Sequence, residues 1–314
     1  MSPLERRVVL VTGKGGVGKT TVTALLGLLG VARGKRTLIV EPSGAASVPP
    51  LFGRVGAGYT PVELRPGLSS VSVTAAEAIE DYVVQQIKVR RLYQLVFKNR
   101  VMGPFLDAVP GLPDLIQLGK VFDLYRETHL GRPVWDLIIV DAPATGHGLT
   151  MLGSPLSMME MTQKGAFFEG ARQVHEVVDD PSKAAVVLVS LPEEMPVNET
   201  LDLWARLGRT RELVCAVVLN EVHPAPFERL DDWALGREAL AGAADPAVAE
   251  AAALTDLWME RLHRQTQSRD RLRAGIPVPV VDLPFLFHRE LNGRDLSGLA
   301  ATLGAALDGV QGGP

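Results

Sequence analysis

Short runs rich in β-branched residues, several of them nearly continuous in apolar residues, recur along this chain at Val8–Thr12, Arg36–Val40, Leu137–Asp141, Ala185–Leu191, Leu213–Asn220 and Val278–Leu283, with a further strand read at Ser69–Val73. A strand covered on both faces reads as such a run, whereas a strand wetted on one face alternates apolar with polar. Longer segments of helical period separate the runs. The pattern predicts an α/β fold, a doubly wound and mostly parallel sheet with helices on both faces. After the first run, Val22, Leu25, Leu26 and Leu29 fall at i, i+3, i+4 and i+7, the stripe of a helix that stops near Gly34.

Two helical stretches are longer than a simple crossover requires. One covers approximately residues 76–132 and is broken by Val109-Pro110-Gly111-Leu112-Pro113; the other covers 152–178. Together they read as a helical subdomain inserted in a single domain, residues 1–314, on the ligand-binding side of the sheet. A third stretch, Glu238–Arg273, is alanine-rich and then charged, the pattern of an ordinary surface helix or two. There is no internal repeat and no second phosphate-loop pattern, and Gln311–Pro314 reads as a frayed tail.

Composition narrows the classes. The formal net charge is −4 and the basic residues are spread along the chain, so no broad basic footprint for nucleic acid is present and none is expected as a partner. A single cysteine, Cys215, excludes an intrachain disulfide. The start, MSPLERRVVLVTG, carries charges where a signal peptide would have an apolar run, so a cytoplasmic location is expected. The most apolar window, residues 22–32, is too short for a bilayer core of ~30 Å, which needs about 20 apolar residues.

The candidate chemistry begins at Gly13-Lys14-Gly15-Gly16-Val17-Gly18-Lys19-Thr20, between the first strand and the first helix. In that context Gly-x4-Gly-Lys-Thr is a phosphate-binding loop: backbone N–H groups cradle the phosphates, Lys19 reaches the β and γ oxygens, and the Thr20 hydroxyl holds Mg2+. Thr21 is within reach of an α-phosphate, and the helix N-terminus adds its dipole. Asp141 ends an apolar strand, where a carboxylate organises the Mg2+ shell. Asn220 ends another, where an amide can pair with the ring edge of adenine. Lys14 is extra to phosphate binding; taken alone it is a solvated loop lysine, and His147 alone is a capping or core histidine.

The run Lys14–Thr20 resembles the deviant phosphate loop of the ATPases that include cell-division-site, chromosome-partition and nitrogenase-iron proteins. The resemblance implies ATP as the nucleotide and a sandwich dimer in which Lys14 reaches the partner's nucleotide, as an arginine finger supplied in trans does. Asp141-Ala-Pro-Ala-Thr145-Gly146-His147 is similar to the second switch of the arsenite-pump and tail-anchored-protein targeting ATPases. The usual wording there is Asp-Thr-Ala-Pro-Thr-Gly-His; this chain keeps the spacing but reads Ala-Pro-Ala where the family has Thr-Ala-Pro. The stretch LPEEMPVNET (191–200), with Glu193, Glu199 and Thr200, resembles the segment after the next strand. LPFLFHRELNG (283–293) resembles the loop that covers adenine, which makes Pro284 and Phe285 candidates for contact with the base. The family resemblance spans nearly the whole chain and implies a P-loop NTPase with ATP and Mg2+.

Three departures bear on function. The family's first switch carries Asp-Pro-Ala, whose aspartate positions or activates water; counting back from Phe52 puts Ser43 at that position, with Glu41 two residues early. Losing a water-positioning group is worth about 10²–10⁴ in rate, so hydrolysis is expected to be slow or absent unless Glu41-Pro42 stands in by a shifted register. Arsenite pumping needs soft thiolate ligands and only Cys215 exists; a paired-cysteine zinc clasp is absent, so no zinc is expected. Met151, Met158, Met159 and Met161, beside Phe167 and Phe168, suit either a helical core or a client-binding surface. The readings left open are a homodimeric switch ATPase, a non-hydrolysing subunit of a heterodimer with a related ATPase, a membrane-protein targeting chaperone, and an anion-export motor with a membrane partner.

Overall fold

The computed structural model describes residues 2–42, 44, 46–56, 58–87, 111–143, 147–226, 232–240 and 245–309. The strands are β1 (Val8–Gly13), β2 (Thr37–Glu41), β3 (Val62–Arg65), β4 (Leu68–Ser72), β5 (Thr128–His129), β6 (Arg132–Pro133), β7 (Leu137–Asp141), β8 (Ala184–Ser190), β9 (Val214–Val222) and β10 (Val280–Pro284). Eight of them form one sheet in the order β10-β9-β8-β1-β7-β2-β4-β3, and β5 and β6 make a separate hairpin. Every pairing in the large sheet is parallel except β3 with β4. The α/β P-loop architecture expected from the sequence is the one observed. The antiparallel edge strand β3 escaped the sequence reading because it is four residues long and only Leu64 of it is buried.

The near-continuous apolar strands follow from helices on both faces. Val9, Val11, Ile39, Leu137, Ile139, Val187, Val189 and Val218 point to the side of α1 (Lys19–Ala32) and α10 (Gly293–Gly309). Their neighbours Val8, Leu10, Leu38, Val40, Ile138, Val140, Val186 and Leu188 point to the other side. There they meet α4 (Leu112–Arg126), α5 (His147–Thr162), α6 (Ala166–Val178), α7 (Glu194–Arg206) and the C-terminal end of α9 (Pro246–Gly275). α2 (Val48–Leu51), α3 (Ala75–Ile87) and α8 (Asp232–Leu240) complete the helices described. The expected 238–273 segment divides at Asp245-Pro246, where the Asp245 carboxylate caps Ala247 N at 2.9 Å and proline takes the first helical turn.

α3, α4, α5 and α6 share a small apolar cluster of their own, with Ile79, Leu112, Leu115, Met158 and Ala171. Pro155 sits inside α5 and brings no N–H to the carbonyl of Met151; Ser154 Oγ donates to that carbonyl instead, at 2.8 Å. The methionines separate by depth. Met151 and Met158 are core, Met159 packs against the small cluster, and Met161 is 62% exposed.

Candidate functional site

The parallel sheet places β1, β2, β7, β8 and β9 with their carboxyl ends on one edge, and the loop Gly13–Gly18 leaves β1 there. Two glycines are required by their surroundings. A Cβ at Gly13 would stand 2.2 Å from the Val189 carbonyl oxygen, and a Cβ at Gly18, with φ of 88°, would stand 2.2 Å from Asn220 Nδ2. The crest of the loop at Gly15 and Gly16 is exposed, while Val17 is anchored in the core. Asn220 is 6% exposed, and its amide donates to the Val17 carbonyl at 3.1 Å, so it supports the loop from beneath.

Gly18 leads into α1, whose first residues are Lys19, Thr20 and Thr21. Lys19 Nζ donates to the Lys14 carbonyl at 2.8 Å, folding its ammonium over the loop. Burial pushes the Lys19 pKa down, and Asp141 partly offsets this. Thr20 Oγ1 donates to one oxygen of Asp141 at 2.7 Å, and Thr23 Oγ1 to the other at 3.3 Å. Burial pushes the Asp141 carboxyl up, against the opposing pull of Thr20, Lys19 and Thr23. Thr23 was missed in the sequence, although its place one turn after Thr20 on α1 was readable.

This donor set fits a nucleoside triphosphate with Mg2+. The loop crest is open, with nothing within 4 Å of a Cβ at Gly16, so a phosphate meets backbone N–H groups rather than side chains. Among the described residues no three His, Cys, Asp or Glu converge, so a cation at Asp141 would draw on Thr20, phosphate oxygens and water, the shell Mg2+ favours. A cavity of about 560 Å3 opens beside the carboxyl ends of β8 and β9, between residues 191–194 and α9. Its arginines 261, 264 and 271 are matched by Glu193, Glu194 and Glu221, which leaves no net charge for a triphosphate.

Lys14 is held within its own chain. Its ammonium pairs with Glu199 of α7 at 2.7 Å and touches Met195 Sδ at 2.9 Å. In the sequence Glu199 stands out only as part of the stretch LPEEMPVNET (191–200). Pro284 ends β10, and the Phe285 ring lies 4.4 Å from His223 and 5.0 Å from Phe287, centroid to centroid. Ser43, Thr145 and Gly146 lie outside the described residues, and His147 opens α5.

Glu41 is not free to replace a first-switch aspartate. It is 1% exposed, and one carboxylate oxygen accepts the N–H groups of Ser47 and Val48 while the other accepts Ser70 Oγ at 3.1 Å. Burial pushes its carboxyl up against those hydrogen bonds. With both oxygens committed to the fold, the shifted-register substitution by Glu41-Pro42 loses its geometric basis.

Residues 6–166, which span the loop, Asp141 and α5, match the family model of anion-transporting ATPases. The chain belongs to the anion-transporting ATPase family. The chain is similar to ATPase BagA of Mycobacterium tuberculosis, 30% identical over 233 residues that cover 72% of this chain and 68% of that protein. A putative arsenical pump-driving ATPase 1 of Aquifex aeolicus is 25% identical over 260 residues, 69% of this chain and 64% of that one. An ATPase ASNA1 homolog of Entamoeba dispar is 24% identical over 254 residues, covering 69% and 76%. Among the described residues of this anion-transporting ATPase relative, no helix is long and apolar enough to cross a membrane.

Proposed function

We propose that this protein is an ATP-binding switch that works as a dimer and hydrolyses ATP slowly. Lys19 and the amides of residues 13–18 would hold the phosphates, Thr20 and Asp141 the Mg2+, and Pro284 and Phe285 the side of the base, with Asn220 supporting the loop from beneath. Lys14 would leave Glu199 to neutralise charge on the partner's nucleotide. Mg2+ supplies charge neutralisation on the phosphate oxygens when bound. The observation that carries the reading is the Thr20–Asp141 hydrogen bond of 2.7 Å beside a Lys19 ammonium folded over the loop. Of the expected helical subdomain, 76–132 and 152–178, residues 88–110 lie outside the described residues and 128–133 is the β5–β6 hairpin; α3, α4, α5 and α6 would be its responsive part, with the segment Asp141–His147, including Thr145 and Gly146, relaying the nucleotide state to α5.

Turnover is slow because Ser43 stands at the aspartate position and Glu41 is consumed as a cap. That favours a second reading, a nucleotide-sensing subunit whose catalytic partner is a related ATPase. A metalloid-export role is disfavoured, since burial pushes the Cys215 thiol up to about 12 and leaves no accessible thiolate. The client-chaperone reading draws support from a cavity of about 380 Å3 between α4 and α6 rather than from the methionines, none of which lines it.

Sedimentation velocity of the chain with and without ATPγS and Mg2+ tests the proposal. A monomer that becomes a dimer with nucleotide, and stays monomeric as Lys14→Ala, is the expected result. Tight nucleotide binding with no change of mass would overturn the homodimer and leave the heterodimer reading.

A further inference from the structure

Gln117 is a buried glutamine on the sheet-facing side of α4, among the apolar residues Leu118, Val121 and Leu124. Its amide leaves the helix and donates to two backbone carbonyls of the sheet, those of Pro42 and of Val73, the latter at 3.2 Å. Both carbonyls lie just beyond adjacent parallel strands, β2 and β4. The Val73 N–H in turn donates to the Glu41 carbonyl at 3.0 Å. From its other end the same segment is gripped by the Glu41 carboxylate, which caps Ser47 and Val48. Pro42 is thus fastened to α4, and Ser47 and Val48 to the Glu41 carboxylate at the end of β2. Between the anchors Ala46 adopts φ of 47°, a left-handed conformation that an L residue holds only when its surroundings impose it.

The far side of α4 faces the 380 Å3 groove, with Ile116 and Phe122 opposite Phe167 and Val174 of α6. Gly119 and Gly170 also line it, and a Cβ at either would meet no atom within 4 Å, so the groove is open at these two positions.

We propose that Gln117 is the positioning residue that couples the nucleotide site to this groove. A displacement of the Pro42 carbonyl at the site pulls on the amide, and α4 follows as a rigid element. The inference rests on the nucleotide-switch reading above. Hydrogen bonds to backbone carbonyls suit the task, because they register main-chain movement whatever side chains occupy the switch.

Hydrogen-exchange mass spectrometry tests it, with wild type, Gln117→Met and Gln117→Asn each measured with and without ATPγS and Mg2+. Methionine keeps the volume and removes both donors; asparagine keeps polarity but is one methylene too short, and serves if the methionine variant does not fold. In wild type, nucleotide is expected to protect residues 13–21 and to change exchange in 112–126 and 166–178. In the variants the loop stays protected, while the nucleotide effect on the two helices falls by about threefold to tenfold. Faster exchange in α4 with an unchanged nucleotide ratio would make Gln117 merely structural and overturn the proposal. A wild type whose loop is protected but whose helices do not respond would overturn it too, leaving nucleotide binding intact. An unprotected loop would refute the binding reading and this inference with it.

Discussion

If Lys14 must reach a partner's nucleotide, its pair with Glu199 opposes assembly, and Glu199→Gln measures by how much. The contact is 2.7 Å, with the lysine side chain 26% and the glutamate 36% exposed. At an effective dielectric of about 40–80 the Coulomb attraction is about 1.5–3 kcal/mol. Solvent screening and the entropy of ordering two long side chains reduce such pairs to about 0.5–1 kcal/mol. A symmetric dimer breaks two of them, so about 1–2 kcal/mol is released by the substitution, equivalent to a dimer Kd about 5- to 30-fold tighter. Sedimentation equilibrium with ATPγS and Mg2+ reads this directly. Wild type should approach the variant as salt rises, because an exposed pair is screened over a Debye length of about 8 Å at physiological ionic strength. A variant that dimerises no better, or worse, would mean that Glu199 serves the closed state and that the reasoning is wrong.

Three further substitutions address other links in the account. Gly18→Ala forces an L residue to φ of 88° and sets a methyl 2.2 Å from the Asn220 amide, so nucleotide affinity measured by calorimetry should fall by at least tenfold while the fold survives. Ser154→Ala leaves the buried Met151 carbonyl without its donor, costing about 1–3 kcal/mol in urea unfolding; adding Pro155→Ala restores an N–H and should recover most of the loss. Lys183 and the hydroxyl and N–H of Ser182 hold the Asp180 carboxyl down at about 2. Its stabilisation is therefore complete above the ordinary aspartate range near 4 and is lost as pH falls from about 4 towards 2. Asp180→Asn should flatten the acid limb of the thermal-melting profile in that window and leave the profile's shape above pH 5 unchanged.

The sheet was legible because each of its buried strands carries the two-faced apolar run that helices on both sides demand, and the phosphate loop because its glycines, Lys19 and Thr20 follow one another between β1 and α1, although the groups that exclude a Cβ at Gly13 and Gly18, the Val189 carbonyl and the Asn220 amide, lie far along the chain. Thr20 and Asp141 were legible as types at strand and helix ends, and the structure brings them to 2.7 Å. What the sequence hid is pairing between distant segments. Nothing local to Lys14 announces Glu199, and nothing local to Gln117 announces the carbonyls after β2 and β4. Glu41 misled for the same reason. Its position at a strand end beside Pro42 reads as catalytic, whereas burial and the free N–H groups at the start of α2 make it a cap. The methionine stretch was ambiguous because helical spacing alone does not say which face of α5 the sheet covers.

Single-turnover hydrolysis of ATP with Mg2+ by wild type, Lys19→Met, Lys14→Ala and Ser43→Asp is the most direct test of the central claim. The account predicts that wild type binds ATP and turns it over slowly, that Lys19→Met loses binding, that Lys14→Ala binds but does not turn over, and that Ser43→Asp is faster by about 10²-fold or more. ATP bound equally well by Lys19→Met would contradict it, since the nucleotide would then not be held at this loop.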